Sequence, residues 1–476
     1  MDLTPRLFKT YASRSINNAR LRKTYRFATN HALEKRLHVI QEVPEWEALR
    51  DRAHEIKEEV IDHLDVYLEK LETNVTANGG KVFWARDGKE ASDYILEVAR
   101  RIRAKTVVKS KSMTTEEIGL AHTLEENQLE PVETDLGEYI IQLAHEWPSH
   151  LTAPALHKTR AEVGELFAEK LGIPYTDVPE ELCEVARKLL RGKFLQAELG
   201  ISGVNFALAD TGTVVIVENE GNARLSTTMP RVHIAVMGLE KVIPGFADLS
   251  VFLRLLARSS TGQKQTSYVS LISSPRQPGE LDGPEEFHLV ILDNGRTEIL
   301  KDPKMRESLF CIRCGACLNT CPIYQRVGGH AYGSVYPGPI GAVITPMFQG
   351  VEVAKDLPYA SSLCGSCTGI CPVKIDIHHM LLWLRKQVVE SHGTPWQERF
   401  AMKLYLAGMA DSTLYRIGSR AVRWALKLSG RQSQPMKVPG WTETRDFPPL
   451  AEKSFKTLWK ELENNDQPRI DANGHK

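Results

Sequence analysis

No run of 18 apolar residues occurs anywhere in the chain, so no stretch is long enough to cross a bilayer as a helix. Net charge is missing too: 60 basic residues cancel 60 acidic ones. No overall field therefore favours nucleic acid or an acidic partner, and no DNA-reading motif argues for one. The first thirty residues lack the apolar stretch of a secretory signal. Their Arg6, Lys9, Arg14, Arg20, Arg22, Lys23 and Arg26 stand against Asp2 alone, so a transit peptide competes with a plain helical pattern running on through Glu34. Nothing resembles a flavin or nicotinamide fingerprint, which places hydride-accepting chemistry elsewhere. Only eight cysteines occur in 476 residues, unlike a secreted disulfide scaffold, and reduced thiols without an export signal point to the cytoplasm.

Seven of those cysteines fall in two related runs. The first is Cys311-Ile-Arg-Cys314-Gly-Ala-Cys317-Leu-Asn-Thr-Cys321-Pro322, the spacing by which a bacterial ferredoxin loop holds a cubane iron–sulfur cluster. About fifty residues later the register returns as Ser361-Ser-Leu-Cys364-Gly-Ser-Cys367-Thr-Gly-Ile-Cys371-Pro372, with Ser361 in place of the first cysteine. In such loops the fourth cysteine crosses to the neighbouring cluster. That rule assigns Cys311, Cys314, Cys317 and Cys371 to one complete [4Fe-4S] cluster, and Cys321, Cys364 and Cys367 to a second with a vacant corner. Zinc is the rival reading, but zinc ribbons use longer spacers and have no need of two C-x2-C-x3-C-P endings.

At 476 residues the length suggests about three domains. Trp46, Leu49, Ala53, Ile56, Val60, Leu64 and Leu68 predict one long surface helix over 44–74, stopped by Asn78-Gly79-Gly80. Strands and helices then alternate: a strand over 81–84, a helix through Tyr94, Leu96 and Val98, a strand over 106–109, and a helix opened by a Thr114/Glu117 capping box. A strand over 131–134 and a helix from 137 to 143 continue the pattern, which implies an α/β fold with a largely parallel sheet. Residues 149–193 read as mostly helical, with Cys183 as a buried apolar side chain beside Ala186 and Leu190. More strands are expected at 214–217, 233–236 and 268–272, and an edge hairpin from 287–292, Asp293-Asn294-Gly295 and 297–300. The polar loop 218–222 lies at a strand's carboxyl end, where open α/β sheets bind ligands.

Between the cysteine runs, Gly328, Gly329, Gly333, Gly338 and Gly341 with Pro337, Pro339 and Pro346 predict irregular chain. A helix reaching about Glu390 follows Pro372. From 396 to 437 there are eight basic residues, among them Arg416, Arg420, Arg423, Lys427, Arg431 and Lys437. With the apolar stripe of Leu404, Leu406, Leu414 and Trp424, they fit an amphipathic helix meeting a partner or an anionic membrane surface, or a solvated helix packed on the cluster domain.

Cluster loops joined to an α/β domain that contains Val-Lys-Ser-Lys-Ser-Met113 and Glu-Asn-Glu-Gly-Asn222 closely resemble the LutB family, the iron–sulfur subunit of the LutABC lactate-utilisation system. The resemblance implies an N-terminal helical arm (1–69), an α/β LUD domain (70–298) like the NagB and CoA-transferase sheets, a ferredoxin-type domain with two clusters (301–390) and a basic helical C-terminal region (391–476). It implies electron transfer during oxidation of L-lactate to pyruvate, with LutA-like and LutC-like partners.

The vacant corner has several candidate donors. Ser361 Oγ, a group from water or a partner, or a three-iron cluster would each satisfy it, and His378 or His379 could reach only singly, since adjacent helix residues face different ways. A rival to the electron-transfer reading makes the LUD domain a catalyst, with Lys109, Lys111, Arg224 and Arg231 clamping a carboxylate and Glu218 or Glu220 as nucleophile or base. A third reading is an iron–sulfur sensor.

Overall fold

Runs rich in Val and Ile form the sheets, because β-branched side chains suit a pleated surface covered on both faces. The computed structural model describes residues 4–391, 393–428, 442, 448–449, 451 and 453–464. Its strands are β1 (Lys81–Ala85), β2 (Thr106–Lys109), β3 (Glu130–Glu133), β4 (Leu199–Gly203), β5 (Phe206–Leu208), β6 (Thr213–Glu218), β7 (Val232–Gly238), β8 (Val242–Ile243), β9 (Tyr268–Ile272) and β10 (Glu286–Leu292). Six of them make one sheet, ordered β1-β10-β7-β4-β2-β3 and parallel throughout. Alternation along a strand divides its side chains between two cores. Val232, Ile234 and Val236 share one core with the helices Gly88–Ile102 and Leu120–Glu126, while Ala235 and Met237 share the other with Leu71 and Val75.

The remaining strands form a second sheet, β8-β5-β6-β9, in which β6 is antiparallel to both neighbours. The parallel-sheet expectation therefore holds for the first sheet, β7 included, and fails at β6, which runs antiparallel to β5 and β9. The tight turn at Asp210-Thr-Gly212 causes the departure. Gly212 adopts φ +68° with the backbone of Asn74 against it, so a side chain there has neither room nor easy backbone geometry. Asn74 and Asn78 fix the turn by donating to the carbonyls of Ala209 (2.7 Å) and Thr211 (2.8 Å).

Several local expectations are corrected. The helix over 44–74 is two helices, Trp46–Asp62 and Leu64–Ala77, broken at His63, and each buries one face and exposes the other, as the apolar spacing implies. No hairpin follows residue 292: β10 is interior to the parallel sheet, and Asp293 accepts from the backbone N–H of Thr297 (2.8 Å) and its hydroxyl (2.7 Å) to start the helix Arg296–Lys301. Thr114 caps nothing; Ser112 does, accepting from Thr115 N. Glu117 is held instead by Arg296 and Tyr336, a pairing across more than 170 residues that local pattern cannot show. Residues 149–159 are irregular before the helices Arg160–Leu171 and Pro179–Gln196. The glycine- and proline-rich spacer contains a helix, Gly338–Gln349, with Pro339 in its first turn and Pro346 inside it.

The helices Phe8–Asn17 and Ala19–Gln41 lie against the spacer between the cysteine runs. Tyr25 packs edge-on to Tyr324 with ring centroids 5.4 Å apart, and its hydroxyl accepts from Gly329 N. Residues Met1–Gly393 form one unit and Thr394–Lys476 another. In the second, the helices Trp396–Ala410 and Ser412–Leu428 have no buried residue, and Leu404, Leu406, Leu414 and Trp424 are exposed. Arg431 and Lys437 lie outside the described residues. No helix among those residues is long and apolar enough to cross a membrane.

Candidate functional site

The two cysteine runs fold into the same loop. Arg313 (φ +59°) and Leu363 (φ +56°) occupy the same left-handed position, and so do Gly315 (φ +76°) and Gly365 (φ +75°). Each glycine starts a one-turn helix, Ala316–Thr320 or Ser366–Ile370, that ends at the fourth cysteine. The likeness extends to Ser361. Arg313 N donates to Cys311 Sγ at 3.4 Å, and Leu363 N donates to Ser361 Oγ at 3.1 Å. Serine thus stands in its loop as the first cysteine stands in the other.

Cys311, Cys314 and Cys317 share one small cavity with Cys371, which comes from the other run; Ile312, Ile340, Val373, Ile375 and Ile377 are among the residues that wall it. Burial is the main cause that pushes up the thiols of Cys314, Cys317 and Cys371, the last to about 12, and neighbouring cysteines push the same way. Several thiols crowded into an apolar enclosure are costly to ionise unless a positive metal core sits among them. The donor set therefore fits an iron–sulfur cluster. Cys321 and Cys367 are each raised by burial, Cys367 to about 11, and each has Cys364 as an electrostatic neighbour. Cys364 itself is exposed and its thiol is lowered, chiefly by the backbone N–H of Ser366.

Basic side chains from the N-terminal helices grip the second loop. Arg50 donates to the carbonyls of Cys371 (2.9 Å) and Gly369 (2.8 Å), Arg36 reaches Ile370 O (3.4 Å), and His54 Nδ1 lies 3.0 Å from Val373 O. Arg50→Met leaves two carbonyls without these donors, at a cost of about 1–3 kcal/mol for a buried acceptor. Iron is then expected to leave the purified protein several-fold faster under an iron chelator, followed by absorbance; an unchanged rate would rule out this grip as a support of the loop.

Other expected ligands lie differently. The rings of His378 and His379 are 4.1 Å apart, so neighbouring residues at this helix start do converge. They converge on Asp376, while His378 also meets Thr368 Oγ1 at 2.8 Å. Cys183 is exposed rather than buried, on the helix Pro179–Gln196, with Glu220 and Glu180 as its charged neighbours.

A second cavity, about 270 Å3, opens at the carboxyl ends of β4 and β6 and is walled by Lys111, Glu218 and Glu220 among others. The other three basic residues expected there do not line it. Lys109 is fully buried between Glu116 (2.8 Å) and Glu133 (2.7 Å). Arg224 lies over the ring of Tyr268, and Arg231 pairs with Glu285 on the surface. Glu218 accepts from the backbone N–H groups of Ala223 and Arg224, 2.7 Å each. Sequence reasoning missed Lys241 and Arg313, which also line this cavity, as does Cys314. Lys241 follows β7 closely, at the end where ligands bind such sheets. Arg313 hides inside the first cysteine run.

Residues 68–292 match the LUD domain family, residues 307–375 the 4Fe-4S dicluster domain, and residues 385–464 the C-terminal domain of lactate utilisation protein B. Together with the loops these define an iron–sulfur protein of the dicluster type joined to a LUD domain. The chain is 46% identical to Lactate utilization protein B of Bacillus velezensis over 469 residues, 97% of this chain and 98% of that one. It is 47% identical to the protein of that name from Bacillus cytotoxicus over 466 residues and 45% to that of Bacillus subtilis over 468, with the same coverage. The chain belongs to the lactate utilization protein B family.

Proposed function

We propose that this chain is the iron–sulfur electron carrier of L-lactate oxidation to pyruvate, acting in the cytoplasm as a subunit of a LutABC-type complex with LutA-like and LutC-like partners. Cys311, Cys314, Cys317 and Cys371 hold one [4Fe-4S] cluster. Cys321, Cys364 and Cys367 hold the second, and Ser361 Oγ supplies its fourth ligand. The observation that carries this reading is the cavity to which both runs contribute cysteines in the crossed arrangement. Bound clusters each take one electron at a time, so two of them match the two electrons released when a 2-hydroxy acid becomes a 2-oxo acid. The residues' part is to enclose and tune: isoleucine and valine side chains keep water from the first site, and the N–H groups of Arg313 and Tyr324, each 3.4 Å from a sulfur, stabilise thiolate charge. The pairing of Leu363 N with Ser361 Oγ supports the serine assignment.

Mössbauer and EPR spectra of protein prepared without oxygen test it. Two inequivalent clusters are expected, with Ser361→Cys changing the spectrum of one and Ser361→Ala converting that one to a three-iron signal. Unaltered spectra in both variants would sink the serine ligand. A colourless preparation holding zinc and no acid-labile sulfide would sink the whole reading.

A further inference from the structure

The 270 Å3 cavity is walled mostly by LUD residues and reaches Arg313, Cys314 and Tyr336 of the cluster segment. Its volume is enough for a small metabolite. Its wall carries charge of both signs: Lys111, Lys241 and Arg313, with Asp135, Glu218 and Glu220.

The cations are incompletely used. Lys111 Nζ is a buried ammonium with no hydrogen-bond acceptor among the described residues; its recorded carboxylate neighbour, Glu138 Oε1, is 4.0 Å away. One terminal nitrogen of Arg313 is likewise buried without an acceptor, although its other terminal nitrogen lies 3.5 Å from Glu240 and its plane lies over Tyr336. Buried donors left without acceptors are costly, and an oxyanion is the ligand that satisfies them. Three carboxylates on the same wall disfavour a dianion, so the balance suits a single negative charge. Burial raises Glu220 to about 7, with Asp135 adding to the shift, and at neutral pH its carboxyl can donate to or accept from a hydroxyl or carbonyl.

We propose that this cavity binds a small monocarboxylate of the 2-hydroxy or 2-oxo acid class, with its carboxylate on Lys111, Lys241 and Arg313, beside the Cys314 loop. The inference deepens the electron-carrier reading by placing the substrate or product class inside this chain. Binding and cluster content are read separately, so either can fail without the other.

The test is calorimetric titration of the full-length, oxygen-free protein with L-lactate, pyruvate and inorganic phosphate, alongside iron and sulfide assays. Lactate or pyruvate is expected to bind, and phosphate not. Lys111→Met, which removes no hydrogen bond, is expected to weaken binding at least tenfold at unchanged iron content, with Lys111→Arg restoring most of it. Should Lys111→Met fail to fold, Lys241→Met takes its place with the same expected loss. Neither acid binding, phosphate binding in their stead, or full affinity in the folded methionine variant would each overturn the proposal.

Discussion

Cys371→Ala is expected to empty the same centre as Cys311→Ala, although 60 residues separate the two positions. Iron and acid-labile sulfide should fall from about eight to about four per chain in both variants, and the EPR signal that survives should be the same. Cys321→Ala should remove the other signal, shared with Cys364→Ala and Cys367→Ala. The ground is the common cavity of Cys311, Cys314, Cys317 and Cys371. If each run held its own cluster, Cys371→Ala would pair with Cys364→Ala and Cys321→Ala with Cys311→Ala. That outcome would refute the crossing.

The second large effect is on stability. Arg296 is fully buried; its guanidinium holds Glu240 at 2.6 Å and Glu117 at 2.8 and 2.9 Å, and Tyr336 donates to Glu117 at 2.6 Å. Burial is the largest single influence and pushes both carboxyls up, but the partners together outweigh it: Arg296 with Tyr336 and Asn294 holds Glu117 below its usual range, and Arg296 with Arg313 and Lys241 holds Glu240 down at about 2. Arg296→Met leaves two buried carboxylates short of their counter-charge, which costs about 3–5 kcal/mol. Melting temperature, followed by circular dichroism under argon, should drop by roughly 4–6 °C. Arg296→Met with Glu117→Gln should recover part of that loss, since one stranded charge is gone. A shift below about 2 °C in the single variant would show that the network contributes little.

How much could be read beforehand depended on the range of the interaction. The cysteine loops were legible because a cluster imposes fixed spacing on nearby residues, and the structure gives both runs one conformation down to the φ of Arg313 and Leu363. Strands β1, β2, β3 and β7 were legible from short apolar runs, and the family matches bear out an α/β LUD fold followed by a ferredoxin-type domain. What stayed hidden was set by distant partners. Glu117 looked like a helix cap because Arg296 is 179 residues away. The helix after β10 looked like a strand because its start depends on Asp293 and Gly295 acting together. At the LUD cavity, Lys111 was found, but Lys109 was included because neighbouring lysines look alike until Glu116 and Glu133 claim one of them. Lys241 and Arg313 came from separate elements that only the folded chain brings together.

The hold of Arg50 on Cys371 spans 321 residues. A ribosome adding about 5–20 residues per second needs roughly 15–65 s to cover that distance. The helix Trp46–Asp62 emerges long before its docking ground exists, and on the crossed assignment proposed above Cys371 is the last of the cluster cysteines to be made. On that assignment, iron delivery to the centre is a late event in the life of the nascent chain.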